Sequence, residues 1–508
     1  MTERFLQEID PSKTAVGEHL TDNNHVSNRY DIISEDNISR IQSIHSSQQR
    51  NKSEKFKVPN DEERQIELEA VSSNDTIGND AQDTKEAMFS EDVGVEFPEG
   101  GLKAYSALLG CFFGLTATFG LTNIAGVIQT YVSENQLQDV ESSSVSWIFS
   151  VNLFVVFSMC IFSGTYFDRN GARLLLIVGS LLLSGGLVAT GNATEYWHFM
   201  LSFGIVTAVG TGFTASPLVG VISHYFNRRR GFMNSIATTG GSVGGIIFPI
   251  MLRKLYAEVG FPWAMRIFAF IEFACLMIAV VLSRDRLSHK EPGETRSEKI
   301  LTYVFSLDFK GLRDVRFLFC CLGCVFAECS ALAVSTYYAS YARAHGASLT
   351  TAYLLISLSH VGGIPGRWIT GYYSDKIGRF NVMIGTTLAN AIITWVILLP
   401  FANHHNVVLY VFTVTQGFVT GSVFSLLAVC CGQISKTEEY GRRFGTMYAL
   451  VAVASLVWVP ICGAIIGDGS LERYQHYVIF VGFTALASAI CYYVSKSLCV
   501  GSNPFSKF

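Results

Sequence analysis

Gly164-Thr165-Tyr166-Phe167-Asp168-Arg169-Asn170-Gly171-Ala172-Arg173 carries the most telling spacing in the chain. It joins two long apolar segments, and its pattern returns as Gly371-Tyr372-Tyr373-Ser374-Asp375-Lys376-Ile377-Gly378-Arg379. A second pair lies at nearly the same offset. Arg228-Arg229-Arg230-Gly231-Phe232-Met233 opens one apolar segment, and Arg442-Arg443-Phe444-Gly445-Thr446-Met447 opens another. Two independent matches predict a duplicated unit. Gly164 and Gly371 suit close helix approach. Asp168 and Asp375 are predicted to cap the next helix and to pair with a cation across the repeat. Such a latch holds one of two conformations and releases in the other. Its predicted members are Gly164, Asp168, Arg169, Gly171 and Arg173, then Arg229, Arg230 and Gly231, then Asp375, Lys376, Gly378 and Arg379.

Outward from these loops, twelve apolar segments cover about 103–132, 144–167, 173–191, 197–223, 231–252, 262–283, 316–342, 350–373, 380–400, 406–431, 442–466 and 474–496. Each is long enough to cross a hydrocarbon core of ~30 Å as a helix. A backbone in lipid must satisfy its own hydrogen bonds, so helices are expected. The predicted fold is an all-α membrane protein of two six-helix halves, 98–283 and 316–496. A linker over 284–315 joins them, and a short C-terminal tail covers 497–508. Parallel halves with a site between them are a known carrier architecture.

Composition agrees. Of 508 residues only 15% are charged, against about 25% in soluble domains. The net charge of −4 hides an asymmetry: residues 1–97 carry 21 acidic and 10 basic side chains, and the remainder 20 acidic and 27 basic. The first part lacks apolar runs and is expected to be a disordered, acidic, cytoplasmic tail, either a regulatory tail with Ser and Lys sites for modification and cytoplasmic regulators or an inert solubilising extension. Met1-Thr2-Glu3-Arg4 leads into no apolar stretch of signal-peptide type. An ordinary soluble enzyme, a disulfide scaffold and a nucleic-acid binder do not fit. The sequence contains no Gly-Lys pair, hence no phosphate-cradling loop for ATP-driven pumping. No catalytic constellation, metal site or cofactor is expected. Cys321 and Cys324 form a C-x-x-C without polar company and read as packing residues.

Loop charges set the expected orientation. With the tail on side one, the loops on that side carry 18 Lys and Arg, and the opposite loops carry Arg253, Lys254, Arg343 and Arg473. The positive-inside rule then places both termini in the cytoplasm.

The repeated loop resembles the signature of the major facilitator superfamily, over about residues 100–498. Pro98-Glu99-Gly100-Gly101, Tyr225-Phe226-Asn227-Arg228-Arg229-Arg230-Gly231 and Gly240-Gly241-Ser242-Val243-Gly244-Gly245 are similar to its monocarboxylate-transporter branch. Ile364-Pro365-Gly366-Arg367-Trp368 and Cys430-Cys431-Gly432-Gln433-Ile434-Ser435-Lys436-Thr437-Glu438-Glu439 resemble fungal, riboflavin-carrying members. The resemblance implies a secondary carrier in the plasma membrane, or less expectedly the vacuolar membrane, working by alternating access.

Polar side chains in a bilayer should face the bundle interior. Thr118, Thr122, Asn123 and Gln129 mark helix 1; Thr207, Thr211 and Thr214 helix 4; Glu328, Ser335 and Tyr338 helix 7; Thr413, Gln416, Thr420 and Phe424 helix 10. The resemblance places these four helices around a central cavity. The expected solute contacts are Thr122, Asn123, Glu328, Tyr338, Arg367, Gln416 and Phe424. Each lone Thr has a competing role, donation to a carbonyl of its own helix. Glu328 suits a proton, a substrate donor or a structural hydrogen bond. Glu272 lies off the cavity, and His360 shares a face with Arg367. Arg367 matches an arginine that animal lactate carriers use for the carboxylate. Their helix-1 lysine falls near Thr122 here, however, and their helix-8 aspartate on Gly363. A less charged cavity suits a planar, polyhydroxylated solute such as riboflavin, through stacking and hydrogen bonds. The alternatives are a monocarboxylate–proton symporter and a non-transporting nutrient sensor.

Overall fold

The structure is a computed structural model that describes residues 97–286, 307–401, 406–467, 469–501, 503 and 506–508. The expectations for the acidic tail and its regulators, and for most of the linker, lie outside the described residues. Among the described residues every regular element is helical. Ten stretches are long and apolar enough to cross a membrane. One of them, Arg230–Leu282, is two helices, because the backbone leaves the helical region at Gly260 (φ 74°) and Pro262 starts the next helix. A further long helix, Leu349–Ile377, is more polar, carrying His360, Arg367, Asp375 and Lys376. Twelve membrane-length helices result.

In chain order these are α1 (Leu102–Glu134), α2 (Ser142–Asn170), α3 (Arg173–Gly191) and α4 (Tyr196–Tyr225). Then come α5 (230–259), α6 (261–282), α7 (Val315–Ala344) and α8 (Leu349–Ile377). The last are α9 (Arg379–Leu398), α10 (Asn406–Gln433), α11 (Tyr440–Ile466) and α12 (Leu471–Val500). The expected loop after residue 252 is absent. Helix α5 runs through Arg253 and Lys254 to the break at Gly260, because one residue of left-handed backbone makes the whole turn.

Burial supports a lipid surround. Side chains such as Trp147, Leu174, Phe270, Val281, Val396 and Phe483 are exposed along the helices. So large an apolar exterior is a liability in water and the normal exterior in a bilayer. Inside, glycines set the spacing. Along α8 and α10 a Cβ at Gly362 would strike the Val414 carbonyl, one at Gly366 the Phe418 carbonyl, and one at Gly417 the Ser359 carbonyl. These helices touch backbone to backbone, where dispersion contacts replace the hydrophobic drive that lipid removes.

Three apolar clusters show how the halves meet. One stays in the first half and includes Ile128, Leu187 and Phe268; another stays in the second half and includes Tyr341, Phe412 and Tyr477. The third crosses between halves, joining Cys160, Met233, Val423, Phe444 and Met447. Most of its members lie toward the end of the bundle that bears the Arg- and Lys-rich loops, called the basic face below. The halves therefore share a core at the basic face and keep separate cores at the opposite end. Cys320, Cys321, Cys324, Cys430 and Cys431 are buried in the shared core, which gives the C-x-x-C a packing role.

Replacing Gly417 by Val should overpack the α8–α10 seam and cost about 1–3 kcal/mol. Its thermal midpoint in detergent is expected to fall. Gly385→Ala, at a glycine with open space around it, should leave the midpoint unchanged or slightly higher.

Candidate functional site

The duplicated loops meet the opposite half as two matching seams. The first four N–H groups of a helix have no partner within it and carry partial positive charge. At the start of α11 two of these groups are taken by Asp168, at the end of α2. Gly441 N donates to Asp168 Oδ1 at 2.9 Å and Arg442 N to Oδ2 at 2.8 Å. At the start of α5, Gly231 N and Phe232 N donate to the two oxygens of Asp375, at the end of α8, both at 2.9 Å. The expectation is corrected here. Each aspartate caps a helix of the other half, not the next helix in its own chain order. The direct partners are backbone N–H groups; the charge of Arg442, from the other half, acts on Asp168, whereas the cation beside Asp375 is Arg379 of its own segment, at 3.8 Å.

Glycines make the approach possible. A side chain on Gly164 would collide with the Gly441 carbonyl, and one on Gly371 would crowd the Gly231 carbonyl. The geometry also corrects the register of the repeat. Gly231 corresponds to Gly441 rather than Gly445, one helical turn earlier. A one-turn slip keeps the same helix face, so the sequence pattern matched in either register. The second motif glycines, Gly171 and Gly378, have φ of 82° and 101°. They end α2 and α8 in a conformation that a side chain disfavours.

The basic members divide by role. Arg230 is buried and donates from Nη1 to the Gly432 carbonyl at 3.0 Å, tying α5 to the C-terminal end of α10. Arg379 donates to the Gln433 side chain within its own half and to the Asn227 carbonyl across the halves. Arg173 and Arg229 are exposed, Arg169 is half-buried, and the Lys376 ammonium sits 4.2 Å above the Tyr372 ring.

Sequence reading missed other parts. Glu99, at φ 51°, accepts from Asn227 N at 2.7 Å and Arg229 N at 3.3 Å, which fixes the turn before α5. Its only signal was an acid before two glycines. Asp308 pairs with Arg442 at 3.2 Å and Arg443 at 3.4 Å and donates its N–H to Thr446 Oγ1 at 2.9 Å. A lone acid in the linker had no pattern to mark it.

Within the bilayer the expected solute contacts fall into separate sets. Arg367 on α8 is buried; its Nη1 donates to Ser242 Oγ on α5, and its Nε has no partner. A Cβ at Gly363 would lie 3.0 Å from Arg367 Nη1, 3.4 Å from Ser242 Oγ and 3.4 Å from the Gly417 carbonyl. Gln416, next to Gly417, is 3% exposed, and neither its oxygen nor its nitrogen has a partner. Asn123 Nδ2 donates to the Gly241 carbonyl at 3.0 Å, beside Ser242. Asn123, Ser242 and Arg367 thus belong to one connected α1–α5–α8 region, and Gln416 lies on the α10 segment packed against it. His360 packs on Gly245 of the same α5–α8 seam, and Trp368 Nε1 donates to Thr239 Oγ1 at 2.9 Å.

Glu328 belongs elsewhere. Tyr448 OH on α11 donates to its Oε1 at 3.1 Å, and the Tyr448 ring packs 5.3 Å from Phe157 on α2. Tyr338 is committed between α7 and α10: its hydroxyl donates to the Leu409 carbonyl at 2.8 Å and lies 3.0 Å from the Thr413 hydroxyl. Thr122 donates to Thr118 O at 3.0 Å within its own helix, the competing role foreseen for such residues. Phe424 is half-buried on α10, and Glu272 is fully buried on α6 with neither oxygen paired.

Comparison with known proteins places these observations in a family. The Major Facilitator Superfamily profile matches residues 108–458. Riboflavin transporter MCH5 of Saccharomyces cerevisiae is 49% identical over 418 residues, covering 80% of each chain. MFS-type transporter 1 of an Ophiocordyceps species is 30% identical over 401 residues, 79% of this chain and 87% of that one. Among solved structures, a bacterial homologue of the iron transporter ferroportin, in an outward-facing state, aligns with a TM-score of 0.60 at 12% identity. That alignment covers 78% of this chain and 99% of the other.

Asp168→Asn should weaken the closed basic face by about 1–2 kcal/mol, a roughly five- to thirty-fold rise in the open fraction. The check is alkylation of Cys160, a buried thiol at the α2–α11 seam, followed site by site by mass spectrometry. Its rate is expected to rise; an unchanged rate would remove the aspartate from the gate.

Proposed function

This chain belongs to the Major Facilitator Superfamily and is a multi-pass membrane transporter, and on that premise we propose that its solute is riboflavin or a close planar, polyhydroxylated relative. The observation that carries the proposal is the similarity to a riboflavin transporter over four-fifths of both chains. The chemistry of the α1–α5–α8 region and the α10 segment packed against it supports it. Arg367 Nε offers a donor, and the Gln416 amide offers an acceptor and a donor, all unpaired. An unpaired buried polar group is costly, so such groups gain most from a ligand. Donor, acceptor and donor complement the carbonyl–N–H–carbonyl edge of a flavin ring.

A small carboxylate is favoured less. Gly363 stands where lactate carriers place an aspartate, and Arg367 turns instead to the neutral Ser242. The Thr122 hydroxyl is spent on its own helix and supplies no positive charge.

In the mechanism we propose, the two aspartate seams hold the basic face shut while solute enters from the opposite end. Arg367 sits on the α5–α8 seam and Glu328, through Tyr448, beside the α2–α11 seam. A solute that recruits the Arg367 guanidinium competes with Ser242, so binding loosens the α5–α8 contact. Rocking of the halves then opens the basic face. We place the protein in the plasma membrane, as its resemblance to the riboflavin-carrying fungal members implies, with both termini cytoplasmic on the strength of the loop charges, and assign residues 1–97 a regulatory role.

Expression in cells unable to make riboflavin should restore growth on low external riboflavin, with saturable uptake. Arg367→Ala and Gln416→Ala should each lower uptake about tenfold or more at equal surface level, the scale for a hydrogen bond to a charged or buried partner. A flavin alkylated at the imide nitrogen should compete poorly, and lactate not at all. Absence of rescue by surface-resident protein would overturn the substrate assignment.

A further inference from the structure

A cavity of about 840 Å³ opens on the basic face, away from the solute region. The α4–α5 turn brings Arg228 and Arg229 to it from the first half. The end of α8 brings Lys376, and the C-terminal segment brings Lys507, from the second. All four side chains are exposed. The acids lining it are Glu99 and Asp375, and both carboxylates already accept backbone N–H groups around the start of α5. The other two cations, Arg230 and Arg379, are drawn into contacts with Gly432, Gln433 and Asn227. The cavity therefore presents exposed positive charge from both halves, while its negative charge is directed into the gate.

Orientation alone does not explain this arrangement. The positive-inside effect asks only for basic loops on one side, at any position. Here cations from three separate chain segments converge on one concavity that straddles the α5–α8 seam. Beside it on α8, Tyr372, Tyr373 and Ile377 are about half exposed and apolar. A cationic recess bordered by an apolar helix face matches a phosphorylated headgroup whose acyl chains stay in the bilayer.

We propose that this cavity binds a ligand carrying two or more phosphate groups, a phosphoinositide headgroup or a soluble inositol phosphate, and that the bound ligand holds the basic face closed. Contacts to Arg228 and Arg229 on one side and to Lys376 and Lys507 on the other exist together only while the α5–α8 seam is shut. A ligand that binds one state better than the other shifts the population toward it.

The test uses the purified full chain. One arm measures binding of soluble inositol hexakisphosphate. The other measures binding to phosphatidylcholine vesicles containing phosphatidylinositol 4,5-bisphosphate, against vesicles of equal charge made with phosphatidylserine. Binding in either arm supports the site, and the arm that responds identifies the source. Arg228→Gln and Lys376→Gln should each weaken binding at least fivefold. Lys310→Gln, exposed on the same face but outside the cavity, should change it less than twofold. Bound ligand should also slow Cys160 alkylation severalfold, a readout that needs no transported solute and so stands apart from the riboflavin assignment. No binding in either arm overturns the proposal. So does vesicle binding that phosphatidylserine reproduces, equal weakening by Lys310→Gln, or Cys160 alkylation unchanged by ligand. Thermal midpoints without ligand confirm that each variant is folded.

Discussion

A carboxylate laid across the N-terminus of a helix from the other half is the interaction on which this architecture turns. It occurs twice, Asp168 on α11 and Asp375 on α5, with the same two-oxygen, two-N–H geometry. Its physical merit is that it needs no mobile cation. Orphan N–H groups and the helix dipole supply fixed partial charge at an unvarying position. The acceptor is short and rigid, so little side-chain entropy is lost. Separating the halves uncovers the donors and the acceptors together, and water at the face can take both. The contact is therefore firm when made and inexpensive to break, which a gate that cycles requires.

The other contacts at the basic face extend from this pair. Gly164 and Gly371 exist to bring backbone to backbone, because any side chain there would hold the helix ends too far apart for the cap. Gly171 and Gly378 end the donor helices immediately afterwards, in backbone conformations that turn the chain away. Arg230 and Arg379 then tie the start of α5 to the end of α10. The shared apolar cluster lies beneath these polar contacts, while each half keeps its own core toward the other end. A molecule joined at one end and divided at the other is what alternating access needs.

The intramembrane charges follow the same logic. Arg367 and Glu328 were singled out because charge in a bilayer is costly. Neither stands alone, and each leans on one of the two gate seams, through Ser242 and through Tyr448. Arg367 keeps one N–H in reserve, and Gln416 keeps a whole amide. Those unmet groups, more than the satisfied hydroxyls of Thr122 or Tyr338, mark where a solute gains by arriving.

Residue chemistry read along the chain determined a good deal. Apolar length set the number of helices, loop charge marked the basic face, and the repeated glycine–aspartate loops announced duplication. These are properties of composition and spacing, which a linear text displays in full. Tertiary structure alone decided the partners. An aspartate at a helix end caps whatever N-terminus is brought to it, and 168 and 441 are far apart in the chain. Register within the repeat was likewise undecidable, since a shift of one turn leaves the same helical face. The break at Gly260, with no loop, and the tie of Asp308 to Arg442 and Arg443 carried no periodic signal. Which polar residues are satisfied and which are left wanting depends on the neighbours that folding supplies. That difference separates Tyr338 from Gln416, two residues the sequence treats alike.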